Sequence, residues 1–274
     1  MRGTWKCWTV ASIILVTGCG HNSQPAAKSE SKPSPTLSIS NSTPPAPTRK
    51  LNLNMPFTEA VSEESPGNQQ LPPDRTMAGA STAKIRLEVQ RLWDTVKFVE
   101  NGKPVIFQAV YDTELGKFTV QLDPDVAPNH VRNFICLVKA GYYNGLVFEH
   151  IIQAENDDEN KSIVEIVEGG CPLGTGEPGV GHLGYWVKPE FSDNVTHEPG
   201  TLGAFHDDSP DSAACRFYIT LTKAPAMDGY FTAFGRVVTG LDVVRTIAKQ
   251  PKIENSIQPV KPVVIRSISI EELR

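Results

Sequence analysis

The chain has 274 residues, 39% of them hydrophobic, which is enough for one substantial core and one folded domain. Its 26 basic and 31 acidic residues give a formal net charge of −5. Nucleic acid is therefore not an expected partner, since no excess positive field is present to neutralise phosphates.

At the start of the chain, Arg2 and Lys6 flank the approach to a short apolar run, Trp8 to Val16, too short to span a bilayer. Residues 1–18 read as an export signal. The sequence Val16-Thr17-Gly18-Cys19 resembles a bacterial lipobox, in which the cysteine becomes the lipidated N-terminus; the alternative is an ordinary signal peptide with an incidental cysteine. The first reading makes the protein a lipoprotein of the cell envelope, membrane-anchored through Cys19 and facing the periplasm or exterior. Residues 19–81 read as a tether. From Gly20 to Ala80 the chain holds ten of its 22 prolines and one aromatic residue, Phe57, a composition that cannot offset chain entropy by burial. Random-coil scaling gives such a tether a reach of about 40 Å. The folded domain is expected over 82–274.

That domain retains Cys136, Cys171 and Cys215, so at most one disulfide can form. An oxidising compartment permits a Cys171–Cys215 bridge, and buried apolar fillers are the other reading. No CxxC pair supports a zinc ribbon or a thioredoxin-like site.

Within the domain, Lys84 to Val99 is either a strand pair or a short helix. Glu114-Leu115-Gly116-Lys117 suits a hairpin turn before Phe118, Val120 and Leu122, whose alternation is that of a half-buried strand. Pro128 opens a helix with Val131, Phe134, Ile135 and Val138 at helical spacing, and Gly141 stops it. Phe217, Ile219 and Leu221 alternate with Arg216, Tyr218 and Thr220, and Thr232 to Val238 and Val263 to Ile270 are further β-rich runs. A second helix is expected where Thr239 and Asp242 are spaced as a capping box, with Pro251 beyond its end. Two helices among many strands predict a mainly β fold, a closed barrel with capped ends.

Five stretches occur in order: Ala127-Pro128-Asn129 leading to Asn133-Phe134; Gly141 to Phe148; Gly169-Gly170 with Gly174-Thr175-Gly176; Phe217-Tyr218-Ile219-Thr220; and Met227-Asp228-Gly229 with Phe234-Gly235-Arg236-Val237. Together they resemble the cyclophilin-type peptidyl-prolyl isomerases over Val105 to Ile270. The resemblance implies an eight-stranded closed antiparallel barrel capped by two helices, with a groove for proline-containing polypeptide segments. It implies no cofactor and no metal, and a monomer is expected. Gly174 to Gly179 also satisfies the dinucleotide pattern GxGxxG, but it neither follows a strand closely nor opens a helix, and reads as a loop.

The resemblance places His150 where the family carries its catalytic arginine. An imidazole is shorter than a guanidinium, has fewer donors and is largely neutral at pH 7 unless a partner raises its pKa, so slow turnover is expected. Glu168, its expected partner, stands where the family has glutamine, Ile166 where it has methionine, and Glu165 where it has a pocket phenylalanine. Phe205 takes a usually small position, His206 that of an asparagine and Arg216 that of a glutamine. Tyr218 replaces the pocket-floor phenylalanine, and Met227 and Phe231 complete a proline pocket with Ile166 and Tyr218. Ala226 in place of a frequent tryptophan implies poor cyclosporin binding. From Phe148 to Gly169 the chain is about ten residues longer than the family usual, and Gln153 to Ser162 are expected to form an acidic flap near the groove.

Two functional readings follow: a slow isomerase of exported chains with His150 as donor, or a catalytically impaired module that binds proline-containing segments as chaperone or scaffold. A further alternative lets His150, His206 and Glu168 ligate a divalent metal, against a simple Glu168–Arg216 ion pair. His130, His182 and His197 read as loop or surface histidines, and Glu155 to Asn160 as a solvated loop without calcium-loop spacing.

Overall fold

The structure is a computed structural model that describes residues 52–155 and 163–273. The export signal, Cys19, the tether as far as residue 51 and most of the acidic insertion lie outside the described residues. Among the described residues no helix is long and apolar enough to cross a membrane.

The elements run α1 (Phe57–Ala60), β1 (Val61–Ser62), α2 (Thr82–Trp93), β2 (Val99–Glu100), β3 (Lys103–Pro104), β4 (Ile106–Thr113), β5 (Gly116–Leu122), α3 (Pro128–Lys139), β6 (Val147–Glu155), β7 (Ile163–Gly169), β8 (Trp186–Val187), β9 (Thr201–Ala204), β10 (Phe217–Thr220), β11 (Ala233–Thr239), α4 (Leu241–Ala248) and β12 (Val263–Leu273). Eight of them close an antiparallel barrel in the order β10-β7-β6-β12-β4-β5-β11-β9, with β9 returning to β10. The alternation in β5 buries Phe118, Val120 and Leu122, and the hairpin before it turns at Gly116, whose φ of +133° is costly for any side chain. Inside the barrel Tyr111 stacks on Phe118 at 4.3 Å, with Phe134, Phe148 and Phe217 filling the rest of an aromatic core.

Helix α3 starts at Pro128, where a missing N–H costs nothing. The Glu190 carboxylate accepts the freed amides of Asn129 and His130, an anion at the positive end of the helix dipole. Its C-terminus closes with Tyr142 N–H donating to Leu137 O and Gly141 N–H to Val138 O, Gly141 having φ +73°. Helix α4 does not use the expected capping box. Thr239 is instead the last residue of β11, paired with Thr119, and Gly240 takes the cap position without a side-chain bond.

The main departure from expectation is at the N-terminus. Residues 52–81, assigned to the tether, are part of the domain, and the ambiguous segment after them is helix α2. Phe57 lies edge-on between Trp93 of α2 (5.2 Å) and Tyr185 (5.3 Å). The Trp93 indole donates to Met55 O at 2.9 Å, and Arg132 of α3 donates to Leu53 O and Met55 O. β1 pairs with β8. An average composition rich in proline concealed Leu53, Met55, Phe57 and Val61, apolar residues spaced to reach one surface.

All three described cysteines are free and buried, so the bridge between Cys171 and Cys215 is not formed; burial raises the pKa of each thiol, that of Cys136 to about 12. His130, His182 and His197 are buried rather than on the surface. The arm predicts its own weight in stability: Phe57→Ala should cost about 3 kcal/mol in urea unfolding of a fragment starting at Asn52, and a fragment starting at Thr82 should melt lower than one starting at Asn52.

Candidate active site

The site forms where β6, β7 and the start of β10 meet. Phe148 pairs with Gly169 while His150 pairs with Glu168, so Glu149 is the extra residue of a bulge. The bulge lets Phe148 point into the core while Glu149 and His150 both reach the same polar cluster. His150 is 8% exposed. Its Nδ1 lies 3.0 Å from Glu168 Oε2, and its ring packs on the backbone of Gly176. A Cβ at Gly176 would fall 2.2 to 2.8 Å from imidazole atoms, and φ there is +66°. Only glycine allows this approach.

Arg216 is the centre of the cluster and is itself buried. Nη2 donates to Glu168 Oε1 and, at 3.0 Å, to Gly176 O; Nη1 donates to Asp207 Oδ1 at 3.0 Å. Its guanidinium lies 4.1 Å over the Phe205 ring. Burial alone would lower its pKa, but the Glu168, Glu149 and Asp207 carboxylates outweigh that and raise it. The guanidinium is therefore a fixed charge enclosed by these acceptors, not a donor placed in the seat of His150. Asp207 continues the chain of contacts: its Oδ2 accepts Gly179 N–H at 2.8 Å and Gln69 Nε2 at 3.2 Å. Gln70 N–H donates to Gly179 O, and Gln70 O faces His182 Nε2. The loop over His150 is thus fastened by Arg216, by Asp207 and by the N-terminal arm.

Beside this polar cluster, Ile166, Tyr218 and Met227 form an apolar cluster with Val164 and Ala224, flanked by the part-buried Ile152, Phe205 and Phe231. Glu165 does not enter it; Gln153 holds its carboxylate at 2.8 Å. Gln153 to Glu155 extend β6 opposite Ile163 to Glu165, so the start of the expected flap is hairpin strand. His206 stacks on Phe231 at 4.2 Å, and both its ring nitrogens face main-chain carbonyls, those of Asp207 and Tyr230. With those nitrogens occupied, the alternative of a metal held by His150, His206 and Glu168 has no geometry behind it. The ion pair of Glu168 with Arg216 is present instead. Asp207 and Gln69 were missed in the sequence, because each acts through a contact distant in the chain; Gly176 was named there only as part of a glycine motif, and its approach to His150 was not foreseen.

The family model described as cyclophilin type peptidyl-prolyl cis-trans isomerase/CLD matches residues 108–270. The chain belongs to the cyclophilin-type peptidyl-prolyl cis-trans isomerase family. This cyclophilin is 30% identical over 159 residues to peptidyl-prolyl cis-trans isomerase ppi1 of Schizosaccharomyces pombe, covering 58% of this chain and 96% of that protein. It is 33% identical to peptidyl-prolyl cis-trans isomerase-like 1 of Aspergillus fumigatus, covering 60% and 95%. Among solved structures, a Cryptosporidium parvum cyclophilin-type isomerase superposes with a TM-score of 0.53 at 22% identity, covering 62% of this chain and 99% of that one. The same Cryptosporidium protein solved in the presence of the dipeptide Ala-Pro gives 0.52. These two structures share the barrel. The arm (residues 52–81), with α2, β2 and β3 after it, precedes the matched residues, and Gln69 joins the arm to Asp207 of the polar cluster.

One buried acid carries a pH signature. Glu149 has Oε1 accepting Cys171 N–H at 2.9 Å and Oε2 without a partner. Burial, reinforced by the Glu168 charge, pushes its pKa up from 4.5 to about 8. Between those values the folded chain holds a proton that the unfolded chain has released, so stability is greatest below about 4.5 and is lost as pH rises toward about 8. Glu149→Gln should remove this component, which melting curves at a series of pH values would read as a flatter profile across that window.

Proposed function

We propose that this cyclophilin is a slow peptidyl-prolyl isomerase of exported proteins, acting as a monomer held at the envelope membrane through Cys19, with His150 facing the prolyl imide. The observation that carries the reading is the state of His150: packed under Gly176, with Nδ1 committed to Glu168, beside an apolar cluster of Ile166, Tyr218 and Met227. Rotation about X–Pro faces a barrier of roughly 18–20 kcal/mol set by amide resonance. As the bond twists, the nitrogen regains its lone pair, and a donor aimed at it is bonded more strongly in the twisted state than in the ground state. With Nδ1–H given to Glu168, a neutral imidazole presents only a lone pair at Nε2. Donation to the imide nitrogen therefore needs a second proton on the ring, a requirement a guanidinium never has.

The test is a protease-coupled assay on a proline-containing tetrapeptide with the protein from Asn52 onward. The wild type should exceed the uncatalysed rate. Restoring the family's residues together, His150→Arg with Glu168→Gln and Arg216→Gln, should raise the rate by roughly 10²-fold, the value of one preorganised donor. The three changes go together because removing Arg216 alone would leave a buried carboxylate unpaired. A wild-type rate equal to buffer, with peptide still bound, would favour the second reading: a module that holds proline-containing segments as chaperone or scaffold, which the covered seat beside an intact apolar cluster also supports.

The anchor is tested separately. Cys19→Ser should move the full-length protein from the membrane pellet to the soluble fraction and abolish incorporation of labelled fatty acid; an unchanged distribution would remove the lipoprotein reading.

A further inference from the structure

Tyr218 differs from a phenylalanine by one hydroxyl, and that hydroxyl is fully engaged. Its oxygen lies 2.6 Å from His197 Nε2, and His197 Nδ1 lies 2.7 Å from Asp228 Oδ1, which also accepts the His197 main-chain N–H at 2.8 Å. Tyr218 and His197 are 1% and 2% exposed. Burial lowers the His197 pKa against the opposing pull of Asp228, and burial raises that of Tyr218, so both are neutral near pH 7. The hydrogen-bond directions then follow from the chemistry: Nδ1–H donates to the Asp228 carboxylate, and Nε2 accepts from the Tyr218 hydroxyl.

The oxygen end of Tyr218 is closed off from the groove. A Cβ on Gly203 of β9 would sit 2.1 Å from both Cζ and the hydroxyl oxygen, so the strand passes directly against that end of the ring. What Tyr218 contributes to the apolar cluster with Ile166 and Met227 is its carbon skeleton. Phe231 meets that ring edge-on at 5.8 Å.

His197 also holds the opposite wall. Its carbonyl accepts Ala224 N–H at 2.9 Å, and Asp228, which it binds, directly follows Met227. Met227 N–H donates to Ala224 O, and Phe231 N–H to Met227 O. One side chain therefore joins the floor of the cluster, from β10, to the turn that carries Met227 and Phe231.

We propose that His197, oriented by Asp228, is a positioning residue that sets the shape of the prolyl pocket by holding the Tyr218 ring through its hydroxyl. The proposal deepens the isomerase reading and rests on that reading's assignment of this cluster to the prolyl ring. His197 touches no substrate in this scheme; it acts on affinity through Tyr218 and the Met227 turn.

The test measures binding of the peptide Ala-Ala-Pro-Phe by NMR titration, so it does not depend on turnover. Variants are His197→Leu, His197→Gln, Tyr218→Phe and the double variant Tyr218→Phe/His197→Leu, each with a melting curve. His197→Leu should weaken binding roughly tenfold, the size of one buried hydrogen bond to the floor ring. Tyr218→Phe should weaken it in the same direction without loss of apolar area, and the double variant should be no weaker than His197→Leu, because both remove one interaction. Gln, whose amide can donate to Asp228 and accept from Tyr218, should recover most of the affinity. Where turnover is measurable, KM should rise with kcat unchanged. Affinity of His197→Leu within about twofold of wild type, or losses that multiply in the double variant, would overturn the proposal. If His197→Leu does not fold, Tyr218→Phe and His197→Gln decide: wild-type affinity in Tyr218→Phe overturns it. Failure of the wild type itself to bind would overturn the pocket assignment, and the proposal with it, before any variant is compared.

Discussion

The Arg216 guanidinium, buried with carboxylates on two sides, is the constraint around which the groove is organised. A charge removed from water is tolerated only when its partners return what hydration supplied. Glu168, Asp207 and the Gly176 carbonyl do this through three hydrogen bonds, and each partner in turn fixes a different piece of the site. Glu168 fixes His150, Asp207 fixes the loop at Gly179, and the carbonyl contact brings Gly176 onto the imidazole. The same charge leaves Glu149 unrewarded: its carboxyl lies 3.9 Å from Arg216 Nε, too far for a hydrogen bond, and beside the competing charge of Glu168 it is held protonated to unusually high pH.

This arrangement differs in kind from a guanidinium that reaches into the groove. The positive charge is present, but it issues from the residue just before β10 rather than from β6 and is enclosed by acceptors. The guanidinium is part of the frame, and His150 beside it is an imidazole with one nitrogen already engaged by Glu168. The apolar cluster of Ile166, Tyr218 and Met227 belongs to a different set of contacts from the polar cluster around Arg216.

The N-terminal arm ties the barrel to whatever precedes it in the chain. Phe57, Arg132 and Trp93 dock its first part on α2 and α3, while Gln69 and Gln70 fasten its later part to the loop over His150. The arm thus adds apolar area to the core and hydrogen bonds to the loop over His150.

Local signals in the sequence determined β5 and α3, through the alternation in Phe118 to Leu122 and through Pro128 and Gly141 bracketing the helix, and the resemblance carried by five ordered motifs implied the closed barrel. The strand and helix patterns are legible because they depend on neighbours one to four residues away. Correspondence with the family's motifs also proposed His150, Ile166, Tyr218 and Met227 as one site; the structure gathers Ile166, Tyr218 and Met227 into an apolar cluster and places His150 in the polar cluster beside it. Only the tertiary structure decided that Phe57 anchors an arm instead of sitting in a tether, that Asp207 and Gly176 fasten the site, and that His197 is buried against Tyr218. Those outcomes depend on contacts between residues 20 to 140 positions apart, whose energy comes from burial and complementary charge that no local pattern encodes.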